Sequence, residues 1–435
     1  MLPVLAGEEV RRRWAGRLLA QLDVAARVRD IITAVRAEGQ AAVERYTREL
    51  DGVDLKKAGF RVTAGEIKAA YEAVTPELRE AIQKARDNIA AYHRRELRGS
   101  WMEADAGGTI LGQICRPLKR VGLYVPGGTA AYPSSVLMTA VPARVAGVEE
   151  IALATPPRRD GTLPPLLLVA AAEAGVREIY KMGGAQAVAA LAYGTEAVAP
   201  VAKIAGPGNI YVTLAKKEVY GAVDIDMLAG PSEIVVIADA GARPDWVAAD
   251  LLSQAEHDAL AGAVLITPEA SLARAVVEEV ARQVETLPRR EIAARSLANY
   301  GACVVVPHLE AALDLANALA PEHLELYVAE PWSWLGRVEN AGAIFLGPYS
   351  SEPLGDYWAG PSHVLPTGGT ARFYSPLSVA TFMKKSSLIA AGPAYLKAAG
   401  SSIQALARAE GLEGHARAIE LRLQEGDRND SRGLD

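Results

Sequence analysis

Cysteine and long apolar runs are scarce in this sequence, and each scarcity excludes a class of protein. Only 2 cysteines occur in 435 residues, Cys115 and Cys303, and they form no C-x-x-C pair. A disulfide scaffold and a zinc ribbon are therefore not indicated, and a cytoplasmic location is expected. No apolar run reaches the roughly 18–20 residues that a membrane-spanning helix needs, so we expect no membrane association.

An excess of positive charge is also lacking. The chain has 46 Lys and Arg residues against 52 Asp and Glu residues, which gives a net charge of −6. This balance argues against a nucleic-acid partner and is compatible with a cationic small-molecule substrate. Half of the residues are hydrophobic and 23% are charged, as expected for a globular protein with more than one core.

Short β-branched segments that alternate with helical segments fill the middle of the chain. Strands are predicted first at RVGLYVPGG, EIALATPP, EIYKMGG and AKIAGPG, and then at EIVVIAD, AGAVLITP, ACVVVPH, HLELYVAE and GAIFLGP. Each segment ends in a Gly or Pro turn, which is the signature of βαβ units and a parallel sheet. The restart of the pattern predicts an α/β protein with two Rossmann-like parallel-sheet domains, and it is compatible with an internal duplication.

Helical periodicity dominates both ends of the chain and sets the expected domain boundaries. Residues 1–120 are predicted as a helical segment that leads into the first α/β domain, at 121–231. The second Rossmann-like domain is expected at 232–375, packed with the N-terminal segment, and a C-terminal helical arm at 376–435. Because ligands of open parallel sheets bind beyond the carboxyl ends of the strands, we expect the functional loops to follow the strands.

Three glycine-rich turns follow strands of the first predicted domain. The clearest is AGPGNIYVTLAKKEVYG at 205–221, where free N–H groups at a helix N-terminus suit a phosphate. It departs from G-x-G-x-x-G, because Tyr211 occupies the third glycine position, and an ordinary βα turn is an equal alternative. The turns in YVPGG and GGAQA lie in the same domain, and this clustering favours a nucleotide.

Two pairs of polar residues are candidates for metal binding and acid–base chemistry. In LLSQAEHDA, Gln254 and His257 lie three residues apart and would share one face of a helix. Glutamine is an uncommon ligand, so the polar side of an amphipathic helix is the alternative. In APEHLEL, Glu322 and His323 stand at the head of a strand, where a histidine can act as a general base and a carboxylate can activate water. The alternative is a loop histidine beside an ordinary surface glutamate.

Further candidates lie near the C-terminus. GDYWAGPSHVLPTGG contributes Asp356, a potential oxygen ligand or turn residue, and His363. AEGLEGH contributes Glu410 and His415, for which a charged helix surface is the alternative. Cys115 lies near basic residues, but nothing in the sequence pairs this thiol with a base.

Taken together and in this order, the motifs resemble the histidinol dehydrogenase family over nearly the whole chain. The matching segments include RVGLYVPGG, KMGGAQA, AGPGN, DMLAGPSE, LLSQAEHD, APEHLEL, GDYWAGPSHVLPTGGTARF and EGLEGH. The resemblance implies a zinc-containing, NAD-dependent enzyme that oxidises L-histidinol to L-histidine through L-histidinaldehyde, the last steps of histidine biosynthesis. The alternatives are a zinc- and NAD-dependent dehydrogenase of a related amino alcohol or sulfonate, a zinc hydrolase, and a non-catalytic dinucleotide sensor.

The resemblance also implies a role for each candidate residue. It implies one Zn²⁺ per subunit, although manganese could satisfy the same nitrogen and oxygen ligands, and NAD bound by residues 121–231. It further implies a homodimer in which the C-terminal arm completes the partner's site. The implied residues are the catalytic pair Glu322 and His323; the NAD contacts Tyr124, Gln186 and Asn209; the zinc ligands Gln254, His257, Asp356 and His415; and the substrate contacts Ser232, Gln254, His257, Glu322, His323, Asp356, Glu410 and His415.

Overall fold

The computed structural model describes residues 2–19, 24–106, 108–127 and 132–430. The chain divides into two compact units, Met1–Leu97 with Leu118–Phe382, and Arg98–Pro117 with Met383–Asp435. No helix in the described ranges is long and apolar enough to cross a membrane.

Strands and helices are numbered along the chain. The strands are β1 Trp101–Ala104, β2 Ile110–Pro117, β3 Arg120–Tyr124, β4 Glu150–Thr155, β5 Glu178–Lys181, β6 Lys203–Ala205, β7 Asp224–Ile225, β8 Glu233–Ala238, β9 Gly262–Thr267, β10 Gly301–Val305, β11 His323–Tyr327, β12 Ala343–Leu346 and β13 Met383–Ala390. The helices are α1 Gly7–Leu19, α2 Ala25–Glu38, α3 Gln40–Leu50, α4 Leu55–Ala58, α5 Ala64–Ala73, α6 Pro76–Arg94, α7 Pro133–Ala146, α8 Pro165–Glu173, α9 Gly184–Tyr193, α10 Ile210–Val219, α11 Pro244–Ala255, α12 Ala270–Val284, α13 Arg290–Tyr300, α14 Leu309–Leu319, α15 Pro331–Trp334, α16 Glu352–Tyr357, α17 Pro393–Ala409 and α18 Glu413–Asp430. Short 3₁₀ turns lie at Leu335–Arg337, Thr370–Arg372 and Val379–Phe382.

Two five-stranded sheets with the same strand order form the centre of the first unit. The first sheet runs β5-β4-β3-β6-β7 and the second runs β10-β9-β8-β11-β12. All neighbouring strands in both sheets are parallel. Counted within its own sheet, each order is third, second, first, fourth, fifth, which is the Rossmann arrangement. The predicted α/β class with two Rossmann-like sheets is confirmed, and the shared order is what an internal duplication would leave.

The strands of these sheets are apolar along their length because helices cover both faces. In β8, Ile234 and Val236 join a cluster with residues of α11 and α12. The intervening Val235 and Ile237 join a separate cluster with residues of α14. This alternation of side chains between two buried faces explains why the sequence reads as an unbroken hydrophobic run.

The N-terminal helices divide between the two sheets, whereas the sequence predicted that the N-terminal segment packs with the second domain. Val10 and Trp14 of α1 join the core of the second sheet. Ile31 of α2 and Val43 of α3 instead join the core of the first sheet. Each helix is amphipathic, and periodicity alone does not say which of two similar apolar surfaces it will cover.

The second unit is built around an antiparallel sheet that the sequence analysis did not predict. Its order is β1-β2-β13, so residues 110–117 pair with residues 383–390 from the far end of the chain. These strands are largely exposed and lack a continuous apolar run. Helices α17 and α18 pack closely at Gly400, where a Cβ atom would lie 2.7 Å from Leu423.

Candidate active site

All three predicted cofactor residues lie at the carboxyl edge of the first sheet. Tyr124 ends β3, Gln186 lies in the first turn of α9 after β5, and Asn209 caps α10 after β6. The strand order reverses between β3 and β6, which is where dinucleotides bind in open α/β sheets. The structure therefore brings these residues to one edge, as the positions of the motifs suggested.

The polar groups of this edge are arranged to leave donors and acceptors for a ligand. The backbone N–H of Gly184 donates to the Tyr124 hydroxyl at 3.1 Å. Burial raises the pKa of Tyr124 to about 12, so the hydroxyl keeps its proton at neutral pH. Oε1 of Gln186 is buried and has no hydrogen-bond partner among the residues that the structure describes. Such an acceptor is costly unless a ligand or water satisfies it.

The Gly206–Asn209 turn packs directly on the end of β3. Gly206 has φ +116°, and a Cβ atom at this position would lie 2.1 Å from the carbonyl oxygen of Tyr124. Only glycine permits this approach. Asn209 Oδ1 accepts from the N–H groups of Tyr211 and Val212 at 3.1 and 3.3 Å, so it caps α10. The second glycine of YVPGG, Gly128, lies outside the described residues.

The predicted catalytic pair lies at the amino edge of the second sheet, where the expectation that functional loops follow the strands was wrong. Glu322 precedes β11, and His323 is its first residue, opposite Ile234 of β8. A crossover helix runs antiparallel to the strands it connects. The C-terminal end of α11, which carries Gln254, therefore comes to this amino edge.

The hydrogen bonds of His323 determine which ring nitrogen carries its proton. Nδ1 lies 2.9 Å from the carbonyl oxygen of Glu233. A carbonyl can only accept, so Nδ1 donates, and in the neutral imidazole it is Nε2 that has the free electron pair. Nε2 is buried, has no hydrogen-bond partner within the described ranges, and lies 3.8 Å from Asp356 Oδ1. Glu322 is held beside it, because Oε2 accepts the Glu233 N–H at 2.8 Å.

A candidate metal centre surrounds Asp356. His257, Glu352 and Asp356 each offer one ligand atom, and these atoms all lie within 4.8 Å of one another. Gln254 is 0% exposed, and neither of its amide atoms has a hydrogen-bond partner in the described chain. Glu352 was not among the residues predicted from the sequence. The signal for it was the spacing of four residues from Asp356, which places both carboxylates on one face of α16.

Two further histidines and their carboxylate neighbours define the charge at this centre. His363 Nδ1 lies 3.8 Å from Asp356, and its Nε2 lies 3.1 Å from Ser135 Oγ on α7. Burial favours the neutral form of Asp356, but His323, His363 and His257 outweigh it and lower the pKa of this carboxyl well below its usual range. Asp356 is therefore a carboxylate at all physiological pH values.

Burial opposes the ionisation of two glutamates of the site. Burial raises the pKa of Glu322 to about 7 and that of Glu352 to about 8. Burial alone would lower the pKa of His323, but Glu322 and Asp356 outweigh it and raise this pKa to about 10. A divalent cation beside Asp356 would balance the carboxylates and bring the pKa of His323 back towards the range of a working base.

The remaining predicted residues have different placements. Helix α11 ends at Ala255, so His257 lies in the turn beyond it and not on the same helix as Gln254. Ser232 directly precedes β8. Glu410 and His415 lie in the second unit, where Glu410 ends α17 and His415 lies in the first turn of α18.

Comparison with known proteins decides the family. The family model described as histidinol dehydrogenase matches residues 17–423. The chain belongs to the histidinol dehydrogenase family. It is 84% identical to the histidinol dehydrogenase of Moorella thermoacetica over 97% of this chain and 100% of that protein. It is 60% identical to that of Geobacillus kaustophilus over 92% of this chain and 94% of that protein.

A solved member of the histidinol dehydrogenase family has the same fold. The crystal structure from Elizabethkingia anophelis matches with a TM-score of 0.89 and 38% identity, covering 93% of each chain. The predictions of the family, of the α/β class and of an oxidoreductase are therefore confirmed.

Proposed function

We propose that this chain oxidises L-histidinol to L-histidine through L-histidinaldehyde, with NAD as the hydride acceptor and a bound Zn²⁺. The proposal rests mainly on His323. Its Nε2 is buried, has no hydrogen-bond partner among the described residues and lies 3.8 Å from Asp356 Oδ1. A buried base whose proton-accepting atom is not engaged by another protein group is what alcohol oxidation requires. The names of the relatives supply the substrate, and the pathway would be histidine biosynthesis in the cytoplasm.

The residues of the centre fit a zinc ion. His257 and Asp356 supply a nitrogen and an oxygen ligand, and the unpartnered amide of Gln254 supplies a second oxygen. When bound there, zinc would hold the imidazole and amino nitrogens of the substrate and so fix its orientation. The NAD assignment rests on Tyr124, Gln186 and Asn209 at the switch point of the first sheet.

The first oxidation needs a group that accepts the hydroxyl proton. His323 takes this proton at Nε2, while its Nδ1–H stays on the Glu233 carbonyl and keeps the ring in place. Nearby Glu322 and Asp356 stabilise the imidazolium that forms, because their carboxyl oxygens lie 3.7 and 3.8 Å from its ring nitrogens. Burial of His323 excludes bulk water during this step.

The second oxidation needs a water molecule to add to the aldehyde. Glu322 is buried, and its pKa of about 7 allows it to accept a proton from water at neutral pH. Its hydrogen bond from the Glu233 N–H fixes the carboxylate beside His323. The hydrate that results again loses its proton to His323. No thiol is needed for this route, and burial raises the pKa of Cys303 to about 12.

We further propose a homodimer in which the C-terminal arm of one copy completes the site of the other. In this arrangement His415 of a second copy supplies a fourth zinc ligand, and Glu410 of that copy binds the substrate ammonium. Both residues are exposed in the second unit, Glu410 directly after α17 and His415 in the first turn of α18. Ser232 would complete the substrate contacts from the first unit.

The activity can be tested directly with the zinc-loaded protein. We expect L-histidinol and NAD to give two NADH molecules and one histidine per histidinol consumed, measured by absorbance and chromatography. L-Phenylalaninol, which has the amino alcohol but no imidazole, is the matched control and should react far more slowly. NADH formation that is equal with both alcohols would support the related amino-alcohol dehydrogenase instead. Bound NAD without turnover would support a sensor.

The shared site can be tested by mixing two inactive variants within one dimer. Asp356→Ala and His415→Ala chains should each be inactive alone. After co-expression, half of the dimers are mixed and have one site with both residues intact, so about one quarter of the wild-type activity should return. If the mixture stays as inactive as its components, the exchanged arm is wrong.

A further inference from the structure

A buried ion pair lies next to the Gly206–Asn209 turn, among residues that the proposed chemistry does not use. It joins Lys216 of α10 to Asp226, which follows β7, and the two side chains are 2% and 0% exposed. Replacing such a pair by apolar residues is often tolerated, so a gain in stability is a weak reason for its presence. The contacts of the pair point to a different role.

Both partners hold the backbone of one glycine. Asp226 Oδ2 accepts the N–H of Gly206 at 2.7 Å, and Lys216 Nζ donates to the carbonyl oxygen of Gly206 at 3.1 Å. On its other side, Gly206 is pressed against the Tyr124 carbonyl, where no side chain would fit. The first residue of the turn is thus fixed by hydrogen bonds on one side and by close packing on the other. We call Lys216, Asp226 and Gly206 the Gly206 clamp.

Asp226 of the clamp and Thr213 also hold the segment that leads into β8. Asp226 Oδ1 accepts the N–H of Met227 at 2.7 Å, and Thr213 of α10 donates to the Ala229 carbonyl at 2.8 Å. A few residues later, the N–H of Glu233 donates to Glu322. One carboxylate therefore connects the turn at the first sheet with the segment that enters the second sheet.

We propose that Lys216 and Asp226 are positioning residues that set the Gly206–Asn209 turn for the dinucleotide. The inference rests on the proposed function, in which this turn binds NAD. Neither side chain belongs to the candidate metal centre, and both are buried. They act through Gly206, because loss of the clamp frees the backbone that presents Asn209 and the N-terminus of α10.

The test separates positioning from stability with a paired variant. Lys216→Met alone leaves a buried unpaired carboxylate and is expected to fold poorly. The double variant K216M/D226L removes both charges and keeps an apolar core, but it cannot hold either polar group of Gly206. Arg120→Met is the matched control, because it breaks the Arg120–Glu178 pair at 2.7 Å, at the opposite edge of the same sheet.

The folded double variant should show a KM for NAD raised by about tenfold or more, with the KM for histidinol and the zinc content within about twofold of wild type. NAD binding measured by calorimetry should weaken equally, and Lys216→Arg should recover part of it. Arg120→Met should leave both KM values unchanged. An unchanged KM for NAD in the double variant, or equal rises in both KM values, would overturn the inference. Wild-type protein that does not bind NAD would instead overturn the proposed function.

Discussion

His323→Asn should reduce kcat by about 10²–10⁴-fold, the usual contribution of a general base. The asparagine amide can still donate to the Glu233 carbonyl, so the local hydrogen bond at 2.9 Å survives. The substitution removes Nε2, the atom that accepts the substrate proton and that has no hydrogen-bond partner among the described residues. Zinc content and the KM for histidinol should change little, because the candidate metal centre of His257, Glu352 and Asp356 is unchanged. Steady-state kinetics with metal analysis measures all three quantities.

His363→Asn is the matched control for this prediction. His363 lies at the same 3.8 Å from Asp356 as His323 does, so the two substitutions remove a histidine from the same carboxylate. His363 also has a buried nitrogen without a hydrogen-bond partner among the described residues, Nδ1, while its Nε2 is engaged by Ser135, so the pair of variants tests which of the two histidines is the base. The wild type and His363→Asn should both gain activity with rising pH as His323 loses its proton, and His323→Asn should lack this dependence. Equal losses in the two variants would contradict the assignment of the base.

Asp356→Asn should release the metal and abolish both oxidations. Asparagine has nearly the same shape as aspartate but no charge, so the packing around the metal centre is kept. The centre loses Asp356, its one carboxylate that is ionised throughout the physiological range. Loss of a residue that hydrogen-bonds to a metal ligand typically lowers metal affinity by about 10–100-fold. Loss of a direct ligand should therefore lower it by more than about 100-fold. Metal analysis of the purified variant, followed by activity at increasing zinc concentration, measures the effect.

Asp250→Asn provides the control for charge alone. Asp250 is a neighbouring carboxyl whose pKa is raised to about 6 by burial, and it lies outside the group of potential ligands. This variant should retain zinc and most of its activity. Zinc retained in Asp356→Asn at the wild-type level, or lost equally in Asp250→Asn, would show that Asp356 is not a ligand.

Local pattern in the sequence was enough to predict both parallel sheets. Each of their strands is a short apolar run between turn residues, and burial on both faces makes such runs conspicuous, as in β8. The antiparallel strands β1, β2 and β13 have no comparable signal, because they are largely exposed and pair residues from distant parts of the chain. The same limit applies to the division of the N-terminal helices between the sheets.

The candidate site was predictable by residue type and less so by geometry. Glu322 and His323 stood out as adjacent acid and base, but the proton on Nδ1 is set by the Glu233 carbonyl, a contact between neighbouring strands that sequence does not display. Glu352 was overlooked because a glutamate before Pro353 reads as an ordinary helix start. The Gly206 clamp depends on a lysine and an aspartate that look like surface residues until both are found buried.

We propose that side chains from separate parts of the chain bind one metal ion beside His323. A zinc-edge anomalous difference map from crystals of the zinc-loaded protein tests it most directly. We expect one peak per chain, about 2.0–2.2 Å from a nitrogen of His257 and an oxygen of Asp356, with Gln254 and His415 of a second copy completing the ligands. A zinc peak bound elsewhere, with His257 and Asp356 not coordinated, would contradict it.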